Sequence, residues 1–239
     1  YQFKPDLPFA PGAEAAGDVT EVGAGGSRFK VGDRVAWYSV CGGFADEIVA
    51  DQIQVTKIAD SMDYKTAAGM FLTYGTSYHA LVQRANIQPE ETLLVLGAAG
   101  SVSLSAVDIR TALGAKVIAA AFSDDKLELA KQYGAELTIN YSTEDLKART
   151  KELTGGKGAD VIYDPVGGDL FKQSLRAIAR KGRMLVVGFA SGEIPKLPVN
   201  LVLLKDCQVV GVFWGQFMRL EPDVNAQNVE DLVRMFEEG

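Results

Sequence analysis

Residues 93–105 read Leu-Leu-Val-Leu-Gly-Ala-Ala-Gly-Ser-Val-Ser-Leu-Ser, an apolar run that passes through two glycines directly into a helical pattern. A buried strand followed at once by a glycine turn and a helix is the setting of a dinucleotide-binding turn. In the pattern G-x-G-x-x-G of such turns, the middle glycine lets the backbone approach a pyrophosphate, whose charge the helix amides stabilise. Gly100 stands at that middle place.

The turn departs from the pattern at two places, with Ala98 at the first glycine and Ser103 at the third. The third glycine permits close packing of helix on strand, so the hydroxymethyl group of Ser103 must push the helix outward or find a pocket. Taken alone, the turn is as compatible with a ligand-free strand-to-helix connection as with a phosphate cradle. The six predicted strands around the turn favour the phosphate cradle.

From residue 92 onward, apolar runs alternate with helical segments, which predicts a parallel sheet covered by helices on both faces. The predicted strands are 92–96, 116–121, 137–139, 160–163, 184–187 and 208–213. The predicted helices are 102–113, 124–133 and 144–153, with Ser123 and Ser142 at N-cap positions and glycines after the helices. Six strands with these crossovers predict an α/β fold of the doubly wound Rossmann type, whose ligands bind at the carboxyl ends of the strands.

The part of the chain before these strands and helices has the sequence pattern of short β-strands. Short runs at 18–22, 34–38, 45–49 and 54–58 are separated by glycine-rich turns, and no long helical period interrupts them. We therefore predict two domains, a β module over residues 1–65 and the nucleotide-binding domain over 66–239.

The composition of the chain disfavours several classes of binding partner and a zinc site. The 239 residues carry a net charge of -7 with no block of like charge, which disfavours nucleic acid as a partner. No apolar run approaches the roughly 20 residues of a membrane-spanning helix, so no membrane association and a cytoplasmic location are expected. Cys41 and Cys207 lack paired spacing, and His79 is the only histidine, so a zinc site is disfavoured. His79 is more simply interpreted as a packed or solvated side chain than as an acid-base catalyst.

The end of the second predicted strand bears on the choice of nucleotide. An NAD site expects an acidic residue at that strand end, whereas here Phe122 and Ser123 end the strand and Asp124 and Asp125 fall inside the helix start. Ser123 and Lys126 can hold a 2'-phosphate instead. The alternative is that Ser123 only caps the helix and Lys126 is a solvated charge, and the residues alone leave both open.

Several motifs in one order give the chain a resemblance to a known family. They are Lys-Pro-Asp-Leu-Pro-Phe-Ala-Pro-Gly-Ala-Glu-Ala-Ala-Gly at 4–17, Val-Gly-Asp-Arg-Val at 31–35, Gly-Gly-Phe-Ala-Asp-Glu at 42–47, Thr-Tyr-Gly-Thr-Ser-Tyr-His-Ala-Leu at 73–81, the turn at Gly97, Ile-Asn-Tyr at 139–141, Asp-Pro-Val-Gly-Gly at 164–168 and Val-Gly-Phe-Ala-Ser-Gly at 187–192. In this order they resemble the zinc-free quinone oxidoreductase (zeta-crystallin-like) branch of the medium-chain dehydrogenase/reductase superfamily, over essentially the whole chain.

The resemblance implies a partial GroES-like β domain followed by the Rossmann domain, with an active cleft between them. Members of the family are longer, so a β-rich segment is expected before the position of Tyr1 and further strands after that of Gly239. The resemblance also implies a homodimer through the last Rossmann strand.

The resemblance implies NADPH as the cofactor and places the site residues by position. The family pattern puts Ser123, Lys126 and Tyr141 around the 2'-phosphate, Gly100, Ser101 and Val102 at the pyrophosphate, and Thr76, Val166, Phe189, Ala190, Ser191, Phe213, Trp214 and Gly215 at the nicotinamide end. Members commonly carry glycine where Ser101 and Ser103 stand. Structural alternatives remain: Val166 and Phe189 as packing residues, Tyr141 as a cover for the sheet, and Trp214 as part of a subunit interface.

The activity implied is hydride transfer from NADPH to a quinone or another conjugated carbonyl without a metal, with Tyr1 as the candidate catalytic residue that donates a hydrogen bond to the developing oxyanion. Two alternatives stay open. The same fold and cofactor serve reduction of an enoyl thioester, and a relative without useful turnover would be a structural or RNA-associated protein.

Overall fold

A computed structural model of the chain describes residues 4–26, 28–114 and 116–238. The chain divides into two compact units. The first unit comprises Tyr1–Gly75 together with Gly215–Gly239, and the second unit comprises Thr76–Trp214.

The first unit contains a three-stranded antiparallel sheet. Its strands are β1 (Glu14–Asp18), β2 (Arg34–Tyr38) and β3 (Val55–Lys57), in the order β1-β2-β3. The sheet confirms the predicted β texture, and β2 has the predicted bounds. The first strand lies four residues earlier than predicted because its register follows β2, with Glu14 opposite Tyr38 and Asp18 opposite Arg34.

The predicted strand at 45–49 is wrong. This segment consists of bends and irregular backbone, and Val49 is fully exposed. A strand needs a partner for its amides and carbonyls, and none of the described strands pairs with this segment. Helix α1 (Tyr64–Tyr78) follows the sheet and continues as a π-helical stretch, His79–Arg84.

The second unit is the predicted α/β sandwich. Its strands are β4 (Leu93–Leu96), β5 (Val117–Ala121), β6 (Leu137–Asn140), β7 (Ala159–Asp164), β8 (Ile178–Val186) and β9 (Gln208–Gly211). Its helices are α2 (Ser101–Ala112), α3 (Asp124–Gln132), α4 (Leu146–Leu153), α5 (Gly168–Ala177) and α6 (Val199–Lys205).

All six strands are parallel, in the order β6-β5-β4-β7-β8-β9. The chain runs from β4 outward through β5 to β6 and then crosses to β7, on the other side of β4. This reversal confirms the doubly wound arrangement. The central strands β4 and β5 are wholly apolar and buried because both faces of the sheet are covered, and Leu94, Ile118 and Ile162 are fully buried in the core.

The three predicted helices begin and end within two residues of α2, α3 and α4. One predicted N-cap, Ser142, is wrong. Gly114 (φ 71°) and Gly134 (φ 93°) follow α2 and α3 in the left-handed conformation, as predicted. Helix α4 begins at Leu146 because Asp145 caps it, its carboxylate accepting the amide of Ala148 at 2.6 Å. Ser142, the predicted cap, instead donates its hydroxyl to the side-chain oxygen of Asn140.

The chain ends in two helices, α7 (Trp214–Leu220) and α8 (Pro222–Glu238). The sequence prediction placed residues 66–239 in one domain, but residues from Gly215 onward group with the first unit. The reason is long-range packing within that unit: Asn225 donates its amide to the Tyr38 hydroxyl at 3.3 Å, and Leu232 is buried. In the described part of the chain, no helix combines the length and apolar character needed to span a membrane.

Candidate functional site

The turn from β4 into α2 lies at the carboxyl end of the sheet and exposes free amides. Gly100 precedes the helix, and the first helical hydrogen bond runs from Leu104 N to Gly100 O at 2.8 Å. The amides of Ser101, Val102 and Ser103 therefore precede the intrahelical ladder. Gly100 and Ser101 are exposed. This arrangement is suited to holding an anion against the helix N-terminus.

Gly97 is the glycine that the turn itself requires. It adopts φ 59°, in the left-handed region, and a Cβ there would lie 2.8 Å from Cγ2 of Val166. A Cβ on Gly100 would meet its nearest neighbour, the Gly97 carbonyl oxygen, at 3.4 Å. The second unit therefore has room for a side chain at residue 100, so a need for glycine there would come from a ligand.

Ser103 resolves the question raised by its place in the pattern. Its side chain is buried, and its hydroxyl donates to the Leu96 carbonyl oxygen at 2.9 Å. The hydroxymethyl group has thus found a pocket against the end of β4 with its polar atom satisfied. Ser103 ties the helix to the strand it follows.

The end of β5 carries the residues expected at a 2'-phosphate. Ser123 holds the N-cap position of α3, as predicted, but its side chain makes no capping hydrogen bond to the backbone. The nearby Ser123 hydroxyl is the largest influence that lowers the pKa of the Asp125 carboxylate. The Lys126 ammonium lies 3.7 Å from the ring centroid of Phe122, whose ring is half exposed.

Tyr141 follows β6, the neighbour of β5. Its amide donates to the Ala121 carbonyl oxygen at 3.0 Å, which brings Tyr141 beside Phe122 at the sheet edge. The ring packs partly on the core, and burial raises the pKa of the hydroxyl. Since the ordinary pKa is already near 10, the hydroxyl stays a hydrogen-bond donor at neutral pH.

The ends of β7 and β8 are joined by a network that the sequence reasoning missed. Asp164 is buried, and its Oδ1 accepts the amides of Val166 and Gly167, both at 2.8 Å. Burial is the largest influence on the Asp164 pKa and raises it, while the two amides act in the opposite direction. The Asp-Pro-Val-Gly-Gly sequence at 164–168 was the available signal for such a turn.

This network brings together the residues predicted for the nicotinamide end. The amide of Ala190 donates to the Pro165 carbonyl oxygen at 2.9 Å, and that of Ser191 donates to the Val166 carbonyl oxygen at 3.0 Å. A Cβ on Gly167 would come within 2.9 Å of the Phe189 ring. Val166, Phe189, Ala190 and Ser191 therefore form one connected strand-end surface.

Thr76 is half-buried, and the residue after it anchors the start of α2. The Ser77 hydroxyl lies 2.8 Å from the Val102 carbonyl oxygen, 2.9 Å from the Ser105 hydroxyl and 2.8 Å from the Tyr163 hydroxyl. These three hydroxyl side chains are buried. The cluster was not predicted, because its members lie on three elements and carry no sequence motif.

The remaining predicted residues are less closely connected with this surface. Phe213 is 42% exposed and Trp214 is buried. Gly215 is grouped with the first unit, so its position relative to the other site residues is not part of this geometry. Tyr1, the candidate catalytic residue, lies outside the described residues.

Comparisons with known proteins agree with this geometry. The model of the alcohol dehydrogenase GroES-like domain matches residues 1–85, and that of the zinc-binding dehydrogenase family matches residues 101–232. A quinone oxidoreductase-like protein 2 homolog of Nematostella vectensis is 44% identical over 243 residues, covering 100% of this chain and 66% of the relative. The chain belongs to the quinone oxidoreductase branch of the medium-chain dehydrogenase/reductase superfamily.

Solved structures of this family resemble the chain closely. A quinone oxidoreductase of Pseudomonas syringae superposes with a TM-score of 0.91 at 35% identity, covering 98% of this chain and 73% of that one. The Escherichia coli quinone oxidoreductase complexed with NADPH gives a TM-score of 0.88 at 32% identity, covering 97% and 72%. The chain thus spans just under two thirds of the Nematostella relative and nearly three quarters of these structures.

Among residues 4–26, 28–114 and 116–238, no group of three or more His, Cys, Asp or Glu side chains has a metal-binding arrangement. His79 is buried, as one of the two predicted alternatives had it, with its Nδ1 3.2 Å from the Gln83 side-chain oxygen. Cys41 and Cys207 are both free thiols.

Proposed function

We propose that this chain is the NADPH-binding part of an oxidoreductase that transfers a hydride to a quinone or another conjugated carbonyl, without zinc. The observation that carries the proposal is the α2 N-terminus, which presents exposed Gly100 and Ser101 and three free amides at the switch point of the sheet. Quinone oxidoreductase relatives and the NADPH complex of the Escherichia coli enzyme support this proposal.

The residues present fit such a cofactor. Gly100, Ser101 and Val102 would hold the pyrophosphate, because the amides of Ser101 and Val102 precede the intrahelical ladder and Gly100, whose own amide donates to the Gly97 carbonyl oxygen at 2.9 Å, leaves the approach open. Ser123, Lys126 and Tyr141 would surround the 2'-phosphate with two hydroxyls and an ammonium at neighbouring strand ends.

The nicotinamide end is assigned to Thr76, Val166, Phe189, Ala190 and Ser191, with Phe213 and Trp214 at the following strand end, and the role of Gly215 stays a prediction. When bound, NADPH supplies the hydride, so the protein's task is orientation of the ring and exclusion of water. The Asp164 network suits that task, because it holds Val166 and the Phe189–Ser191 segment by backbone hydrogen bonds. Donation of a hydrogen bond by Tyr1 to the acceptor oxygen stays a prediction, as does the cytoplasmic location.

Replacing Lys126 by methionine is expected to raise the dissociation constant of NADPH roughly tenfold while leaving that of NADH within about twofold, because a charged hydrogen bond to the 2'-phosphate is lost. Titration of the full-length protein with each nucleotide, followed by nicotinamide fluorescence, measures both constants. Lys131→Met is the matched control, since Lys131 lies on the same helix and pairs with Glu128 at 2.6 Å. An equal loss for both nucleotides would contradict the assignment of Lys126.

The acceptor is tested by NADPH oxidation with a quinone, an enone and an enoyl thioester in parallel. Turnover with the first two and little with the thioester supports the proposal, whereas the reverse result assigns the chain to enoyl thioester reduction. No oxidation together with an RNA gel shift would favour the non-catalytic alternative.

A homodimer through β9 is the second part of the proposal. β9 is an edge strand of the described sheet, with β8 as its neighbour. Beside it in the chain, α6 exposes Val199 (71%), Leu203 (81%) and Leu204 (76%). An open edge next to an exposed apolar patch is a surface that a second copy can cover, by continuing the sheet and burying the leucines.

Leu203→Asp is therefore expected to shift the full-length protein from dimer to monomer, because a buried, unpaired charge opposes association. Sedimentation velocity over a range of protein concentrations measures the change. Leu113→Asp is the control, since Leu113 is also exposed but follows α2, away from β9 in the chain. A monomeric wild type at all concentrations would remove the dimer proposal.

A further inference from the structure

We infer that Ser77 is a positioning residue for the cofactor, whose buried hydroxyl holds the segments at Thr76, Val102 and Asp164 in one arrangement. The inference rests on the proposed function and deepens it, because it concerns what keeps the nucleotide site in shape. Neither the sequence motifs nor the family resemblance assigned Ser77 a role.

The first observation is a set of short contacts around one hydroxyl group. Ser77 lies near the end of α1 and donates its hydroxyl to the Val102 carbonyl oxygen of α2 at 2.8 Å. The hydroxyls of Ser105 and Tyr163 lie 2.9 Å and 2.8 Å from the same Ser77 oxygen. Ser77 and Tyr163 are fully buried, so water does not compete for these hydrogen bonds. One hydroxyl group thus joins α1, α2 and β7.

The protons of this cluster determine the direction of its hydrogen bonds. Each hydroxyl has a single proton, and Ser77 donates its own to Val102, so the Ser77 oxygen accepts the proton of Tyr163. Burial raises the pKa of Tyr163, which keeps the phenol protonated and able to donate. Ser105 donates to the Val102 carbonyl oxygen at 2.9 Å, but from its own helix. Of these three hydroxyls, that of Ser77 is the one that ties Val102 to a different element.

The second observation is that each joined segment carries a proposed contact to the nucleotide. Thr76, assigned to the nicotinamide end, directly precedes Ser77 on α1. Val102 itself is assigned to the pyrophosphate. Tyr163 directly precedes Asp164, whose carboxylate accepts the Val166 amide at 2.8 Å and so orders the nicotinamide end. Loss of the Ser77 hydroxyl would therefore let the pyrophosphate and nicotinamide contacts shift relative to one another, and small misplacements of such contacts are costly.

The test compares the full-length wild type with Ser77→Ala by titration with NADPH and with NADH and by thermal unfolding. The alanine preserves the helix but removes the tether to Val102. We expect both dissociation constants to rise roughly tenfold and their ratio to stay within about twofold of the wild-type ratio, since pyrophosphate and nicotinamide are common to both nucleotides. The unchanged ratio distinguishes this variant from Lys126→Met, which removes a contact specific to NADPH.

Ser174→Ala is the matched control. Ser174 is also fully buried in the second unit, and its hydroxyl donates to the Phe171 carbonyl oxygen at 3.0 Å, on its own helix α5. Both variants lose one buried hydroxyl and its hydrogen bond, so both should unfold at a lower temperature than the wild type. Ser174→Ala should nevertheless bind both nucleotides as the wild type does.

A double variant separates positioning from stability. Ser77→Ala leaves the buried Tyr163 hydroxyl without the Ser77 oxygen, and adding Tyr163→Phe removes that hydroxyl as well. The double variant should therefore unfold at a higher temperature than Ser77→Ala, while both dissociation constants stay raised because Val102 is still untethered. Should Ser77→Ala fail to fold, as judged by far-ultraviolet circular dichroism, the double variant carries the comparison with Ser174→Ala.

The outcomes separate the two proposals. A wild type that binds neither nucleotide overturns the proposed function. A wild type that binds NADPH overturns the role of Ser77 alone if Ser77→Ala binds no more weakly than Ser174→Ala, if only the NADPH constant changes, or if binding recovers together with stability in the double variant. Weaker binding of both nucleotides that persists in the double variant supports it.

Discussion

Gly97→Ala is expected to destabilise the second unit by about 3 kcal/mol and to weaken NADPH binding by roughly tenfold or more. Two effects add at this residue. The backbone has φ 59°, which costs an alanine about 1–2 kcal/mol, and the new Cβ would lie 2.8 Å from the Val166 side chain. To relieve this contact, either the turn that presents the α2 amides or the Val166 side chain must move.

Two further variants separate these effects. Gly114 has a similar φ of 71°, but a Cβ there meets no atom within 4 Å, so Gly114→Ala should show only the backbone cost and normal binding. Adding Val166→Ala to Gly97→Ala removes the collision and should restore part of the stability. Thermal unfolding and NADPH titration measure both quantities. A Gly97→Ala protein that is no less stable than Gly114→Ala would show that the Val166 contact carries no cost.

Arg183→Met is expected to destabilise the second unit by about 3–5 kcal/mol, the range for breaking one side of a buried ion pair. The Arg183 guanidinium donates to both carboxylate oxygens of Glu91 at 2.6 Å, and its Nε donates to the Ala85 carbonyl oxygen at 3.0 Å. The two side chains are only 12% and 18% exposed. The substitution therefore leaves the Glu91 carboxylate in a poorly solvated place without its main partner.

The control lies on the same strand. Arg180 pairs with Asp206 at 3.0 Å, but these side chains are 76% and 59% exposed, so Arg180→Met should cost less than about 1 kcal/mol. Urea unfolding at pH 7 compares the two variants. Equal costs would show that burial of the Glu91 pair does not matter. Replacing Arg183 and Glu91 together by methionine should recover much of the loss, because no unpaired charge remains.

The pH dependence gives a second readout for this pair. The Arg183 hydrogen bonds hold the pKa of Glu91 below its ordinary value of 4.5. A carboxyl group with a lowered folded-state pKa contributes stability that is fully present above its unfolded-state pKa and is lost as pH falls through the folded-state pKa. The wild type should lose stability from this source below about pH 4.5, and Arg183→Met should lack that component.

Local sequence patterns were sufficient for the second unit and for the type of its site. Apolar runs of strand length, glycines after helices and a glycine turn after β4 predicted six parallel strands in a doubly wound sheet, which the structure confirms. These features depend on residues close together in the chain, because strand length, helix period and turn conformation are local properties. The order of motifs along the chain carried the family, while the assignment of Ser123, Lys126 and Tyr141 to the cofactor stays a prediction.

Other features depended on contacts between residues far apart in the chain. The sequence could not place α8 with the β sheet, since that grouping rests on contacts such as Asn225 with Tyr38. It left open whether Ser103 would push α2 outward, because the answer is the Leu96 carbonyl oxygen that its hydroxyl reaches. Packing and hydrogen-bond geometry determine these features, and a pattern of residue types does not encode either one directly.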